Sequence, residues 1–236
     1  LWPFVAKARE EGARVVVIDP VETRTARSAD WHVRPRPGTD AALALGLMHV
    51  IVREGLHDAA YVDAHATGFD ELCARLDDYP PERVEAVTGV PAGEVVELGR
   101  AYATTRPAAI RTLIGMGHHE RGGMTIRTIA CLPVLVGAWS DLGGGIVGTT
   151  AWAAWSPLST DALSRPDLED ASLREVNMIQ LGRALTGLEP PVRALVVYNA
   201  NPAAIAPDQS RVLQGLARDD LFTVVIEQFV TDTAAY

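Results

Sequence analysis

Continuous runs of apolar residues are the clearest pattern along this chain. Residues 13–18 and 108–114 are rich in small and β-branched side chains and show no regular polar alternation. Such runs are typical of strands covered on both faces, as in parallel sheets. Further runs over 194–198 and 221–226, with a short one near 31–34, complete the predicted strands.

Helical periodicity fills most of the intervals between these strands. Helices dominate residues 55–104, and Pro133 interrupts the helix predicted over 124–138. Residues 146–172, which include Trp152 and Trp155, show no clear period. The predicted helices span 3–11 (ended by Gly12), 40–54, 58–66, 68–76, 80–87, 91–103, 124–138, 177–186 and 207–218.

The order of these elements predicts an α/β protein with parallel sheets. Strand–helix alternation occurs before the long helical stretch and again after Pro107, which predicts two α/β domains, 1–104 and 105–236. Open parallel sheets bind ligands at the carboxyl ends of their strands. The residues that follow each strand are therefore the first candidates for a functional site.

Composition excludes several classes of function. The 236 residues carry 21 Lys and Arg against 30 Asp and Glu, a formal net charge of −9, whereas nucleic-acid binders present a basic face. No apolar stretch approaches the ~20 residues of a spanning helix, so we expect no direct membrane insertion. The two cysteines, Cys73 and Cys131, are isolated, which favours free thiols and leaves no iron–sulfur cluster within this stretch.

Asp19-Pro20 follows the first strand and is the first candidate site. A carboxylate at that position can accept two hydrogen bonds, from ribose hydroxyls or from the edge of a guanine. Asp19 is equally compatible with a role that only starts a turn.

A second candidate lies at the start of the helix over 40–54. The preceding residues read V-R-P-R-P-G-T-D, which places Thr39 at the N-cap and Asp40 in the first turn. Capping alone would explain both residues. In this reading neither residue needs a ligand.

Three strand ends in the second half carry polar or glycine-rich loops. Gly115-Met116-Gly117 lets a ligand approach the backbone closely. The stretch from Asn199 to Pro202, N-A-N-P, offers amide side chains that both donate and accept, and the stretch 227–233 adds further polar groups after a strand. Each of these loops also reads as an ordinary turn or helix start.

The stretch His118-His119-Glu120 invites a metal interpretation, but adjacent residues on a regular element point apart. We therefore expect no metal ligand here. Arg121 is a better candidate, because a guanidinium beside a glycine loop can bind a phosphate with two hydrogen bonds. The glycine loop is not a full G-x-G-x-x-G, because Glu120 stands in place of the third glycine, and the chain contains no G-x-x-x-x-G-K-[ST], G-x-S-x-G or H-E-x-x-H motif.

The order of these motifs resembles the molybdopterin oxidoreductase family, which is built around a bis(molybdopterin guanine dinucleotide) cofactor with molybdenum or tungsten. D-P-x-x-T-x-T and R-P-G-T-D follow each other as in that family, although Val21 stands where many relatives have Arg. The G-x-G loop, L-x-G-x-W-x-x-x-G-G-G, N-x-N-P and E-x-F-x-T-D-T-A then follow in the family's order. The resemblance covers essentially the whole chain.

The resemblance implies two Rossmann-like three-layer domains within a larger multidomain subunit, of which this chain is an internal fragment. It places the metal's protein ligand, and an iron–sulfur segment where one exists, upstream of Asp19, so no catalytic or metal-ligating residue is expected here. For one guanine dinucleotide it implies Asp19, Pro20, Thr23, Arg24, Gly38 and Asp40. For the other it implies Gly115, Gly117, Arg121, Asn199, Asn201, Pro202, Thr231 and Thr233.

By the same resemblance, the full-length protein catalyses two-electron or oxygen-atom transfer on a small-molecule substrate, and the fragment alone is inactive. An electron-transfer subunit is an expected partner, and localisation is left open with the cytoplasm slightly favoured. Two alternatives stay open. One is a scaffold subunit of a respiratory complex that binds no molybdenum. The other is an unrelated nicotinamide-dependent dehydrogenase, against which the absence of G-x-G-x-x-G after the first strand argues.

Overall fold

The computed structural model describes residues 2–119, 121–148 and 164–236, so Glu120, Trp152 and Trp155 lie outside the described residues. The fold is α/β, as predicted, and the chain forms two compact units, Leu1–Leu158 and Ser159–Tyr236. The predicted domains, 1–104 and 105–236, are defined by the half of the cofactor that each would hold. That assignment stays a prediction.

Unit 1 builds its core around one central helix. Helix α3 (Asp40–Arg53) packs against α5, α6, α7 and α8, and its Leu47, Met48 and Ile51 are buried. The helix dipole stabilises the negative charge of Asp40 in its first turn and the positive charge of Arg53 in its last turn. The other helices are α1 (Trp2–Glu10), α2 (Arg24–Arg27), α4 (Ala59–His65), α5 (Phe69–Leu76), α6 (Pro81–Thr88), α7 (Ala92–Thr104) and α8 (Gly122–Leu135), with Pro133 inside α8.

The strands of unit 1 form two parallel pairs. Strand β1 (Val16–Ile18) pairs in register with β2 (Trp31–Val33), and β3 (Ala109–Arg111) pairs with β4 (Gly145–Val147). Parallel pairing confirms the predicted sheet type. The four strands are three residues long, and β1, β2 and β3 are shorter than the apolar runs that predict them.

The prediction that the first and third strands are covered on both faces is wrong for the described structure. Ile18 is 45% exposed, and Ala109 and Arg111 at either end of β3 are exposed. Each described sheet is two strands wide, so every one of these strands is an edge strand. Strand β4 was missed because its triple-glycine approach, Gly143 to Gly145, is typical of a flexible loop.

Unit 2 repeats the strand–helix–strand pattern on a smaller scale. Strand β5 (Ala194–Tyr198) pairs in parallel with β6 (Phe222–Ile226) over five residues, at the bounds that the sequence predicts to within one residue. The helices are α9 (Leu181–Gly187), α10 (Pro202–Ile205) and α11 (Gln209–Leu216). Leu185 and Val212 bury completely where α9 meets α11, and a Cβ on Gly215 would lie 2.4 Å from the Cβ of Leu185.

No helix in the described residues is both long enough and apolar enough to cross a bilayer.

Candidate functional site

Asp19 lies at the carboxyl edge of the β1–β2 sheet. Its Oδ1 accepts a hydrogen bond from the backbone N of Val21 at 2.8 Å, so the carboxylate does start a turn. Among the described residues its second oxygen, Oδ2, accepts no hydrogen bond, which leaves an acceptor for a ligand. Both interpretations of Asp19 are therefore compatible with the structure.

His32 ties the two strand ends together, and sequence reasoning missed it. Its Nε2 lies 2.8 Å from the carbonyl oxygen of Asp19, and its Nδ1 lies 3.2 Å from Nε of Arg34. A carbonyl only accepts and the guanidinium only donates, so we assign the proton to Nε2 and the lone pair to Nδ1. Arg34 in turn approaches Glu22 at 3.6 Å, and the network holds the loop after Asp19 to β2.

Among the residues after Asp19, Thr23 has a structural role, whereas the side chain of Arg24 makes no hydrogen bond or ion pair with the described residues. Thr23 caps α2, because its Oγ1 accepts from the backbone N of Ala26 at 3.2 Å. Arg24 is exposed, and its guanidinium has no partner in the described part of the chain. Pro20 is also exposed.

The R-P-G-T-D loop does not cap its helix as predicted. Thr39 occupies the N-cap position of α3, but its hydroxyl donates to the carbonyl of Arg36 at 2.6 Å and makes no cap hydrogen bond. Its backbone, at φ −107° and ψ 10°, lies outside the extended conformation that caps usually adopt. Asp40 is half-buried, and its carboxylate accepts no hydrogen bond from the described residues. The helix dipole still favours Asp40, but the side chain is available to a ligand.

The glycine loop forms a 3₁₀ helix over Ile114–His118, directly before α8. A Cβ on Gly115, Gly117 or Gly123 would meet nothing within 4 Å, and none of these three has a positive φ. Gly122 differs, because a Cβ there would lie 2.5 Å from the carbonyl oxygen of Met116. Gly122 is therefore needed for packing, whereas the described structure gives no internal reason for the three open glycines.

The loop that follows β2 and the glycine loop meet in unit 1. A Cβ on Gly38, whose φ is +79°, would lie 3.6 Å from Nδ1 of His119. Sequence reasoning assigned these two loops to different guanine dinucleotides. This approach brings the loop that ends at Asp40 next to the loop that precedes Arg121.

The arginines of unit 1 support an anion near these loops. Most arginines of this acidic chain pair with a carboxylate or a carbonyl, as Arg100 does with Glu54 at 2.7 and 2.8 Å. Arg121 stands at φ 60° before α8, and its side chain forms no such pair with a described residue. The arginines whose guanidinium makes neither an ion pair nor a hydrogen bond within the described ranges are Arg24, Arg27, Arg83, Arg121, Arg127 and Arg183, of which Arg83 lies over the ring of Tyr79. Four of these lie on α2 or at α8, next to the predicted loops, and sequence reasoning missed Arg27 and Arg127.

In unit 2 the two predicted loops lie at the carboxyl edge of the β5–β6 pair. Asn199 is exposed at φ 49° and donates its backbone N–H to the carbonyl of Ile226 at 3.0 Å. Pro202 is buried at the first position of α10. Asn201 and Thr233 hydrogen-bond to each other across the two loops. The predicted grouping of Gly117 with Asn201 and Thr231 involves both units and stays a prediction.

The described residues contain no group of three His, Cys, Asp or Glu side chains that could hold a metal ion. His118 and His119 are exposed, and Glu120 is outside the described residues. Cys73 and Cys131 are free thiols, and burial raises the pKa of both. The chemistry that this arrangement supports is the binding of an anionic, hydrogen-bonding ligand.

Comparison with known proteins identifies the family of the chain. The sequence model of the family "Molybdopterin oxidoreductase" matches residues 4–236. The "Probable oxidoreductase YoaE" of Bacillus subtilis (strain 168) is 46% identical over 231 residues, which cover 98% of this chain and 34% of that protein. "Formate dehydrogenase H" of Escherichia coli (strain K12) is 38% identical over 133 residues, 56% of this chain and 19% of that protein.

A solved structure, "Acetylene Hydratase from Pelobacter acetylenicus", superimposes with a TM-score of 0.73 at 28% sequence identity. The match covers 99% of this chain and 37% of the hydratase chain. The chain thus spans about a third of the length of relatives that match it end to end.

Proposed function

The chain belongs to the molybdopterin oxidoreductase family, and from that premise we propose that it forms the part of an oxidoreductase that holds a bis(molybdopterin guanine dinucleotide) cofactor with molybdenum or tungsten. One observation carries the proposal: the half-buried carboxylate of Asp40 has no hydrogen-bond partner among the described residues and directly follows the loop that contacts the open glycine loop through Gly38 and His119. Both carboxylate oxygens are therefore available to accept hydrogen bonds from a ligand.

The residues fit such a cofactor. Asp19 and Asp40 offer carboxylate oxygens to the N–H groups of a guanine or to ribose hydroxyls. Arg24 and Arg121, whose guanidinium groups have no partner among the described residues, offer them to pyrophosphate oxygens. The open backbone at Gly117 allows a flat ring to approach. When bound, the cofactor's metal would supply two-electron or oxygen-atom transfer, while this chain orients the cofactor.

Reaction and partners are proposed for the full-length protein. We propose redox chemistry on a small molecule, with electrons passed to a further subunit, since relatives are named oxidoreductase and formate dehydrogenase. Hydration is the second candidate, because the superimposed structure is named a hydratase. Dye-linked oxidation or reduction by the purified full-length protein would separate redox chemistry from hydration.

The role of Asp40 tests the proposal most locally. We expect Asp40→Asn in the full-length protein to lower bound guanine, measured as guanine released on acid hydrolysis, because the substitution replaces an acceptor by a donor. Asp63→Asn is a matched control, since Asp63 is an exposed carboxylate on α4 that makes no side-chain contact with a described residue. If Asp40 served only the helix dipole, its variant would lose about 0.3–1 kcal/mol of stability and keep its guanine.

A further inference from the structure

The loops that follow β5 and β6 in unit 2 are joined by a network between Asn201 and Thr233. Oδ1 of Asn201 accepts from the backbone N of Thr233 at 3.1 Å and from its Oγ1 at 2.8 Å. Nδ2 of Asn201 donates to Oδ2 of Asp232 at 3.0 Å. Oγ1 of Thr233 also accepts from the backbone N of Ala203 at 3.0 Å. Four hydrogen bonds therefore connect one loop to the other.

These bonds use most of what the two side chains can offer. An amide oxygen has two lone pairs, and both of those on Asn201 are taken. The hydroxyl hydrogen of Thr233 is donated to Asn201, and Thr233 is only 1% exposed. A ligand could reach one remaining amide hydrogen of Asn201, and it cannot reach the hydroxyl of Thr233.

Asn199 and Thr231, on the same two loops, differ from this pair. Asn199 is exposed, and its side-chain amide makes no hydrogen bond to a described residue. Thr231 is half-buried, and its hydroxyl accepts only a long contact of 3.4 Å from the backbone N of Ala234. These two side chains keep their donors and acceptors for a ligand.

We propose that Asn201 and Thr233 are positioning residues, which lock the two loops so that Asn199 and Thr231 meet the ligand in a fixed geometry. The inference rests on the proposed function, since the ligand is the guanine dinucleotide half held by unit 2. It reassigns Asn201 and Thr233 from ligand contacts to residues that act through their neighbours. Loops that are already ordered before binding avoid the loss of conformational entropy that a flexible site would incur on binding.

A hydroxyl-deletion series tests Thr233 in the full-length protein. Thr233→Val keeps the shape and removes the hydroxyl with both of its hydrogen bonds, the one to Asn201 and the one from the backbone N of Ala203. We expect its guanine content under limiting cofactor supply to fall by about tenfold or more. Thr233→Ser keeps the hydroxyl and should retain wild-type guanine. Thr186→Val is the matched control, because its hydroxyl bonds Gly182 and Arg211 within the same unit but away from these loops. That control should lower the melting temperature and leave guanine unchanged.

An exchange of donor and acceptor tests Asn201. Asn201→Asp sets a carboxylate against that of Asp232, so both the melting temperature and the guanine content should fall. The double variant Asn201→Asp with Asp232→Asn restores a donor–acceptor pair in reversed order and should recover both quantities. If Asn201 contacted the ligand through its amide, the exchange would recover the melting temperature without the guanine.

Three results would overturn the inference: full guanine in Thr233→Val, a loss in Thr233→Ser equal to that in Thr233→Val, or an exchange variant that recovers no guanine. Wild-type protein without guanine would instead overturn the proposed function, and the positioning role with it. Circular dichroism at the assay temperature shows that each variant is folded, so a loss of guanine is not a loss of fold.

Discussion

At the scale of single residues, the described structure separates side chains that hold the chain together from those that stay available. Thr23 and Asn201 both have the residue type expected of a ligand contact, yet Thr23 caps α2 and Asn201 uses three of its four hydrogen-bonding positions internally. Asp40 and Arg24 are unpaired within the described ranges. Sequence alone could not make this separation, because it depends on which backbone N–H lies next to each oxygen.

Gly117 offers a test at this scale. We expect Gly117→Ala to lower the guanine content of the full-length protein while changing the free energy of unfolding by less than about 0.5 kcal/mol, since the new methyl group meets no protein atom within 4 Å. Gly93→Ala is the control, because a Cβ at Gly93 also meets nothing and lies on the outer side of α7. Equal guanine in both variants, measured after acid hydrolysis, would show that no ligand approaches Gly117.

At the scale of elements, the sequence predicts helices better than strands. The bounds of α3 lie within one residue of the prediction. A long stretch of apolar residues with helical periodicity, flanked by a charged residue at each end, is enough to specify a helix locally. Strand β4 and the half-covered β1 were not predicted, because a strand exists only through its partner. A hydrophobic run along one strand does not indicate how many strands its sheet contains.

Packing between α3 and α6 depends on a glycine. A Cβ on Gly46 would lie 2.6 Å from Cγ2 of the buried Val84. We expect Gly46→Ala to destabilise the protein by about 1–3 kcal/mol through overpacking, despite the better helix propensity of alanine. Adding Val84→Ala should recover part of that loss, and a double-mutant cycle of urea unfolding measures the coupling. Additive effects would contradict the contact.

The link from α1 to β1 depends on pH. Hydrogen bonds from Arg9, and then from the backbone N of Val15 at 2.7 Å, lower the pKa of Asp30. A lowered pKa in the folded state means that the stabilisation is complete above the unfolded value of about 3.9 and is lost as pH falls through the folded value. The melting temperature of Asp30→Asn should therefore lie below that of the wild type by a constant amount from pH 7 to about pH 5. The gap should narrow once the pH falls below the unfolded value of about 3.9, and a gap that does not narrow in acid would refute the link.

At the scale of the whole molecule, the order of the motifs along the chain predicted the family, and the family model matches residues 4–236. The motif order alone did not predict that the glycine loop meets the loop containing Gly38, because the contact depends on how α8 packs against α3. The chain itself covers about a third of relatives that match it end to end, so reaction and substrate belong to the full-length protein.

The stoichiometry of metal and guanine in the purified full-length protein tests the central claim most directly. Elemental analysis for molybdenum and tungsten is combined with chromatography of the bases released by acid. The account predicts two guanines for each molybdenum or tungsten atom. Protein with neither metal nor guanine would support a scaffold, and adenine in place of guanine would indicate a nicotinamide or flavin dinucleotide; either result would contradict the assignment.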